Sequence, residues 1–201
     1  RHTRCRGAGP IACETRGFPV IAESGHYALV LALALALIQS TVPILGARWR
    51  DPALMNVARA TALAQLLFVA ASFAALAALY ITSDFSVVNV YENSHSTKPL
   101  LYKITGVWGN HEGSMLLWVS ILALFGGLVA AFGNNLPLSL RAYVLAVQGW
   151  LASAFYLFIL ITSNPFLRIA SPPIEGPDLH PLLLDIRLAV QQPLLYLGHV
   201  G

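Results

Sequence analysis

Four long runs without Asp, Glu, Lys or Arg constrain this chain more than any other feature. They cover residues 27–47, 60–83, 113–140 and 142–167. A helix that crosses about 30 Å of hydrocarbon needs about 20 apolar residues, and lipid excludes an open sheet because backbone polar groups must pair internally. The runs therefore predict an all-α, polytopic membrane helical bundle with four complete transmembrane helices plus the start of a fifth. The expected spans are residues 27–46, 60–82, 114–133 and 142–163, with a fifth from about 193.

The composition excludes other classes of protein. Of the 201 residues, 57% are hydrophobic and 10% are charged, whereas an ordinary soluble domain carries about 25% charged residues. This excludes a soluble globular enzyme, and it excludes disorder, which needs low hydrophobicity and high charge. The net charge of +3 is too weak and too scattered for a nucleic-acid binder.

The first 19 residues differ from the rest. They are polar and basic, and they hold both cysteines of the chain, Cys5 and Cys13, which match neither a zinc-binding spacing nor a C-x-x-C-H haem-attachment motif. We interpret residues 1–19 as a non-native or disordered tail, with a native basic tail as the alternative. Residues 20–201 form the membrane domain, and we expect the chain to be a fragment that stops inside a new apolar segment.

The loops between the spans alternate in length and charge. The two short turns are dense in arginine, with Arg48, Arg50 and Arg59 in one and Arg141 in the other. The long loops, residues 83–113 and 164–192, are mixed in charge. Because cytoplasmic loops carry an excess of Lys and Arg, we expect the short turns in the cytoplasm and two long external loops.

The first external loop ends in the chain's most distinctive motif, Trp108-Gly-Asn-His-Glu-Gly-Ser-Met-Leu-Leu-Trp118. We take Trp108, His111, Glu112 and Trp118 as a candidate functional loop, since tryptophan favours the membrane interface. At the mouth of the bilayer, an imidazole and a carboxylate can share a proton or bind a metal. Alternatively, they hydrogen-bond the start of the third span, where the helix dipole favours Glu112.

Other motifs are less specific. Asn110 or Ser114 is suited to cap the third span. A Pro-rich stretch at residues 172–181 excludes a regular helix there. No phosphate loop, Ser-His-Asp arrangement or dinucleotide-binding glycine motif is present in the sequence, so we assign no catalytic residue and no metal site.

The motif at 108–118 resembles the WG-x-H-E-G-S-x-L-L-W signature of the CcmF/NrfE family, which are membrane subunits of cytochrome c maturation. Supporting stretches are residues 162–166, 173–179 and 193–198. The resemblance covers about residues 20–201 and corresponds to the N-terminal part of a much longer family member.

The resemblance implies a cytochrome c maturation haem lyase subunit. Such a protein receives haem from the haem-chaperone CcmE and, with a CcmH-type thiol-handling subunit, assists its covalent attachment to apocytochrome c on the external face. The implied location is the inner (cytoplasmic) membrane of a bacterium, with the mitochondrial inner membrane as the alternative. Haem is the implied cofactor, and the chain would be part of a haem-ligation complex, inactive alone.

The sequence departs from the family at one important position. Where the family usually has a histidine as a haem ligand, this chain has Gln191, whose amide is a poor donor beside imidazole. His199 and His180 are weak substitutes, so we expect no tight haem binding by this chain alone. Two other functions stay open: a proton or ion transporter subunit, although no span has a charge in its middle, and a purely structural membrane subunit.

Overall fold

The apolar runs form long helices in the computed structural model, which describes residues 19–169 and 186–200. The helices are α1 Pro19–Trp49, α2 Pro52–Thr82, α3 Val88–Asn93, α4 Leu100–Gly106, α5 His111–Phe132, α6 Leu138–Thr162 and α7 Ile186–Val200. Four of them, α1, α2, α5 and α6, are long and apolar enough to cross a membrane. This confirms the four predicted spans and the all-α fold class.

The first two helices are longer than the predicted spans. α1 and α2 begin at Pro19 and Pro52 rather than at residues 27 and 60, and each has 31 residues. The charge-free criterion excluded Glu23 and Arg59, which lie inside the helices but toward their ends. Since 31 residues rise about 46 Å, more than the hydrocarbon thickness, such ends extend beyond the apolar layer.

The helix of the fifth predicted span also begins earlier than predicted. α7 begins at Ile186, so Pro193 lies inside it rather than at its start. The segment between them, Ile-Arg-Leu-Ala-Val-Gln-Gln, is too polar to signal a span, but most of its residues are good helix formers. With 15 residues, α7 is shorter than the about 20 that a complete crossing needs.

At one end of the bundle, a tight turn joins α1 to α2. The Asp51 amide donates to the carbonyl of Gly46 at 2.9 Å, and the Asp51 carboxylate accepts from the amide of Ala53 at 2.8 Å. Pro52 follows at the first helical position, where its missing N–H costs nothing. Arg50 adopts a positive φ of 56°, which reverses the chain direction.

The second short turn lies at the same end and contains a buried arginine. Arg141 donates to Asn134 at 3.2 Å and to Asn56 of α2 at 3.5 Å. Both partners are neutral amides. The arginine follows the C-terminus of α5, whose dipole favours a positive charge. Arg141 therefore holds α2, α6 and the α5–α6 turn together.

Glutamines connect the helices inside the apolar layer. Gln39 of α1 donates to the Leu145 carbonyl at 2.8 Å and to the side chain of Gln148 at 3.1 Å, both on α6. Gln148 in turn donates to the Leu122 carbonyl of α5 at 2.7 Å. Because an unpaired amide is costly in lipid, these bonds fix how α1, α5 and α6 meet. We call Gln39 and Gln148 the amide seam.

At the opposite end, the two long loops contact each other. The Val88 amide donates to the Leu167 carbonyl at 2.8 Å, and the Ile169 amide donates to the Ser86 carbonyl at 2.9 Å. This isolated antiparallel bridge joins the segment after α2 to the segment after α6. The helices α3 and α4 belong to the first of these loops. The predicted Pro-rich stretch of the second loop lies outside the described residues.

Candidate functional site

Asn110 organises the start of α5. Its backbone is extended (φ −121°, ψ 169°), and its side-chain oxygen accepts from the Gly113 amide at 2.7 Å. Asn110 is therefore the helix cap, whereas Ser114 donates its hydroxyl to the carbonyl of His111. Of the two predicted capping residues, the structure confirms Asn110.

The amide nitrogen of Asn110 binds two further elements. It donates to the Tyr80 hydroxyl at 2.8 Å and to the Gly106 carbonyl at 3.1 Å. Tyr80 lies in the last turns of α2, and Gly106 ends α4. A single side chain thus joins α2 and α4 to the first turn of α5.

A second amide, from Asn89 of α3, completes the arrangement. It donates to the Asn110 oxygen at 3.0 Å and to the Glu112 carboxylate at 3.3 Å. Tyr80 donates its hydroxyl to the side-chain oxygen of Asn89 at 2.5 Å, and the backbone carbonyl of Asn89 lies 3.1 Å from the same hydroxyl. We call Tyr80, Asn89, Asn110 and Glu112 the corner network. Tyr80 and Asn89 are buried, so the network fixes where both short helices lie.

Gly113 allows the close approach that this corner needs. A Cβ built at this position would lie 1.6 Å from the carbonyl oxygen of Val107. No larger residue fits at position 113, because the first turn of α5 packs directly against the end of α4. The Gly in the His-Glu-Gly-Ser motif is therefore required by packing.

His111 and Glu112 point to different neighbours. Glu112 accepts from Asn89 of α3, whereas His111 is exposed and its ring meets Phe158 of α6 edge-on, with centroids 6.4 Å apart. Within residues 19–169 and 186–200, no three His, Cys, Asp or Glu side chains are grouped to hold a metal. In this structure the two side chains therefore meet different elements, α3 for Glu112 and α6 for His111.

The two tryptophans of the motif flank this corner. Trp108 is half-buried and packs against the main apolar core. Trp118, further along α5, lies against Phe155 of α6, with ring centroids 4.1 Å apart and planes tilted by 41°. The motif therefore anchors α5 at both ends of its first three turns.

Two of the three residues proposed for haem, Gln191 and His199, lie in the described part of the chain. Gln191 and His199 are both exposed on α7, and the Nδ1 atom of His199 lies 2.9 Å from the Leu195 carbonyl of its own helix. His180 lies outside the described residues. Neither Gln191 nor His199 contacts the corner network.

Sequence reasoning missed Tyr80 and Asn89. Tyr80 lies near the end of an apolar span, where an aromatic residue is typical of the membrane interface. Asn89 lies in the short stretch Ser-Val-Val-Asn-Val. The one available signal was a lone amide between valines, because a buried amide needs a partner. The sequence does not reveal which partner that is.

Comparisons with known proteins agree with this geometry. The family described as cytochrome C assembly protein matches residues 108–201, and the match begins at the first tryptophan of the motif. The cytochrome c-type biogenesis protein CycK of Bradyrhizobium diazoefficiens is 82% identical over 182 residues, which are 90% of this chain and 28% of that protein. The cytochrome c-type biogenesis protein CcmF of Pseudomonas aeruginosa is 48% identical over 184 residues, again 90% of this chain and 28% of that protein.

One solved structure is also similar. The cytochrome c haem lyase CcmF matches with a TM-score of 0.75 and 26% identity, and the match covers 98% of this chain and 30% of that chain. The chain therefore spans less than a third of the length of these relatives.

Proposed function

The chain belongs to the CcmF family of cytochrome c-type biogenesis proteins, and we propose from this premise that it forms the part of a haem lyase that supports haem transfer on the external membrane face. In this proposal the whole protein receives haem from a CcmE-type chaperone. It then assists the attachment of that haem to apocytochrome c, together with a CcmH-type subunit. Haem is thus a substrate that is passed on.

The distribution of arginine supports this orientation. Arg48, Arg50, Arg59 and Arg141 all lie at the end of the bundle with the two short turns. Positive residues favour the cytoplasmic side, and this supports an external position for α3, α4 and the corner network. The bacterial relatives favour the inner membrane as the location.

The corner network carries the proposal. It joins the ends of α2 and α4, Asn89 of α3 and the start of α5 through side-chain hydrogen bonds of 2.8–3.3 Å. Surfaces that dock a partner bind more tightly when their loops are already ordered. We infer that the network holds α3 and α4 in a fixed arrangement for the chaperone or a partner subunit, and that His111 and Trp108 lie at its edge.

The described residues do not fit a haem ligand set. Haem iron is held by strong axial donors such as imidazole, while Gln191 offers an amide and His199 is bonded to its own helix. We therefore derive no step through iron ligation by α7. The role that we propose for this chain is to order the external surface.

A transporter function has less support. The buried polar residues in the middle of the four spans are amides and hydroxyls, including Gln39, Gln65 and Ser72. Proton relays use titratable residues within the membrane. The described spans therefore offer hydrogen bonding rather than proton transfer.

The test is cytochrome maturation in a bacterial strain that lacks its own CcmF-type gene. The full-length protein carrying Glu112→Gln or Asn89→Leu is expressed, and covalently bound haem in a c-type cytochrome is measured by gel staining. We expect both variants to insert in the membrane at the wild-type level but to give reduced covalent haem, with Asn89→Leu the more severe because Asn89 is buried.

The matched control is Glu92→Gln, an exposed carboxylate on α3 outside the corner network. It should mature cytochrome as the wild type does. Normal maturation in both Glu112→Gln and Asn89→Leu would contradict the proposal, and would leave Glu112 with only a role at the helix N-terminus.

A further inference from the structure

A cavity with a partly polar lining lies at the same end of the bundle as α3 and α4. It has a volume of about 290 Å³ and is formed by the first turns of α1 and the segment after α6. Its polar lining comes from Glu23, His26, Asn164 and Arg168. Pockets for drug-sized molecules begin at about 300 Å³, so this cavity fits a smaller group.

The wall of the cavity carries one charge of each sign. Arg168 and Glu23 form an ion pair of 3.4 Å, in which both side chains are about half exposed (42% and 58%). Beside it, the Nδ2 atom of Asn164 lies 3.4 Å from the Nδ1 atom of His26. An exposed ion pair contributes little, about 0–1 kcal/mol, so a ligand with both charges can replace it at small cost.

The floor of the cavity is well packed. Phe166 is buried, and its ring packs directly against Gly25. A Cβ added to Gly25 would lie only 2.5 Å from a ring carbon of Phe166. The backbone around Arg168 is held by the bridge to Val87. Arg168 and Glu23 are therefore presented by fixed backbone on two different elements.

The rim of the cavity is apolar and exposed. Tyr27 and Leu167 both line it and are 66% and 56% exposed. Since α1 and α6 are spans that reach this end, the rim lies where the helices leave the hydrocarbon. A headgroup in the cavity would have its acyl chains beside these two side chains.

We propose that this cavity binds the headgroup of a zwitterionic phospholipid with a primary ammonium, that is, a phosphatidylethanolamine. The phosphate binds Arg168, and His26 lies within reach as a second donor. The ammonium donates to the Glu23 carboxylate. Hydrogen bonds between charged groups are stronger than neutral ones.

The charge pattern distinguishes between lipid classes. An anionic headgroup without an ammonium would place its negative charge beside Glu23 and leave that carboxylate unpaired. A choline headgroup has a positive charge but no N–H to donate to Glu23. Of the ethanolamine, choline and glycerol headgroups, ethanolamine alone meets both Glu23 and Arg168 with hydrogen bonds.

The test is native mass spectrometry of the full-length protein, released from vesicles that contain equal parts of phosphatidylethanolamine, phosphatidylcholine and phosphatidylglycerol. We expect one phosphatidylethanolamine to be retained about tenfold more than either other lipid, since a factor of ten needs only about 1.4 kcal/mol. Arg168→Gln should abolish this retention. The matched control, Arg59→Gln at the opposite end, should leave it unchanged.

Two further variants separate the headgroup from the ion pair itself. Glu23→Gln should reverse the preference, so that phosphatidylglycerol is retained at least as well as phosphatidylethanolamine. The double variant Glu23→Arg with Arg168→Glu keeps the pair but exchanges its charges, and it should lose the retained lipid. Equal retention of all three lipids by the wild type, or a preference that Arg168→Gln does not change, would overturn the proposal.

Discussion

Replacing Asn110 by alanine should loosen the start of α5 more than any other single change in the corner network. The substitution removes the cap bond to Gly113, which is worth about 1 kcal/mol. It also removes the two donations to Tyr80 and Gly106, and each net hydrogen bond contributes about 1 kcal/mol. The bond that the Asn89 amide donates to the Asn110 oxygen at 3.0 Å is lost as well. The expected cost is about 4 kcal/mol, which corresponds to roughly a thousandfold in the local opening equilibrium.

Hydrogen exchange measured by mass spectrometry on the peptide around residues 108–118 reports this opening directly. Asn110→Ala should exchange roughly a thousandfold faster there. Asn110→Ser keeps a capping oxygen but loses the bonds to Tyr80, Gly106 and Asn89, so its expected increase is only about a hundredfold, a cost of about 3 kcal/mol. Asn135→Ala, exposed in the opposite turn, should leave this peptide unchanged. Wild-type protection in Asn110→Ala would refute the reasoning.

Three other predictions follow from the same geometry. Gly113→Ala should greatly lower the yield of folded protein that detergent extracts from the membrane. Gly109→Ala, whose added Cβ would lie 3.5 Å from its nearest neighbour, should keep the wild-type yield, and equal yields for the two variants would contradict the packing argument. With the native cysteines replaced, an impermeant external thiol reagent should label Ser96→Cys and not Ser139→Cys, and the reverse pattern would invert the orientation. Residues 1–201 purified in detergent should show no Soret absorption; a stoichiometric band that His199→Ala removes would reveal a ligand on α7.

The helices were predictable from the sequence because the membrane enforces a strong and local signal. Any run of about 20 apolar residues must cross as a helix, and no knowledge of neighbours is needed. The ends were less predictable. Charged residues such as Glu23 are tolerated in a helix once it leaves the hydrocarbon, so a rule based on charge placed the start of α1 too late.

The corner network was only partly predictable, because its bonds join residues that are distant along the chain. Asn110 was visible as a cap, since capping is decided within one turn. Asn89 and Glu112 are 23 positions apart, and their contact depends on how α3 folds back over α5. His111 and Glu112 are adjacent in sequence, which suggested a shared role. Successive residues on a helix point in different directions, and so their side chains diverge.

The amide seam has a consequence for the order in which the protein is made. Gln39 and Gln148 are 109 positions apart, so at about 5–20 residues per second the ribosome takes about 5–20 s to pass from one to the other. During that interval α1 is already made, while its amide still has no partner on α6. The contact between α1 and α6 therefore closes later than the contact between α1 and α2. Gln39→Leu would ease the early entry of α1 into the bilayer, because leucine has no amide to pair. The same change would weaken the finished bundle, because the bonds to α6 would be lost. A polar side chain at position 39 is therefore unfavourable during insertion and favourable after assembly.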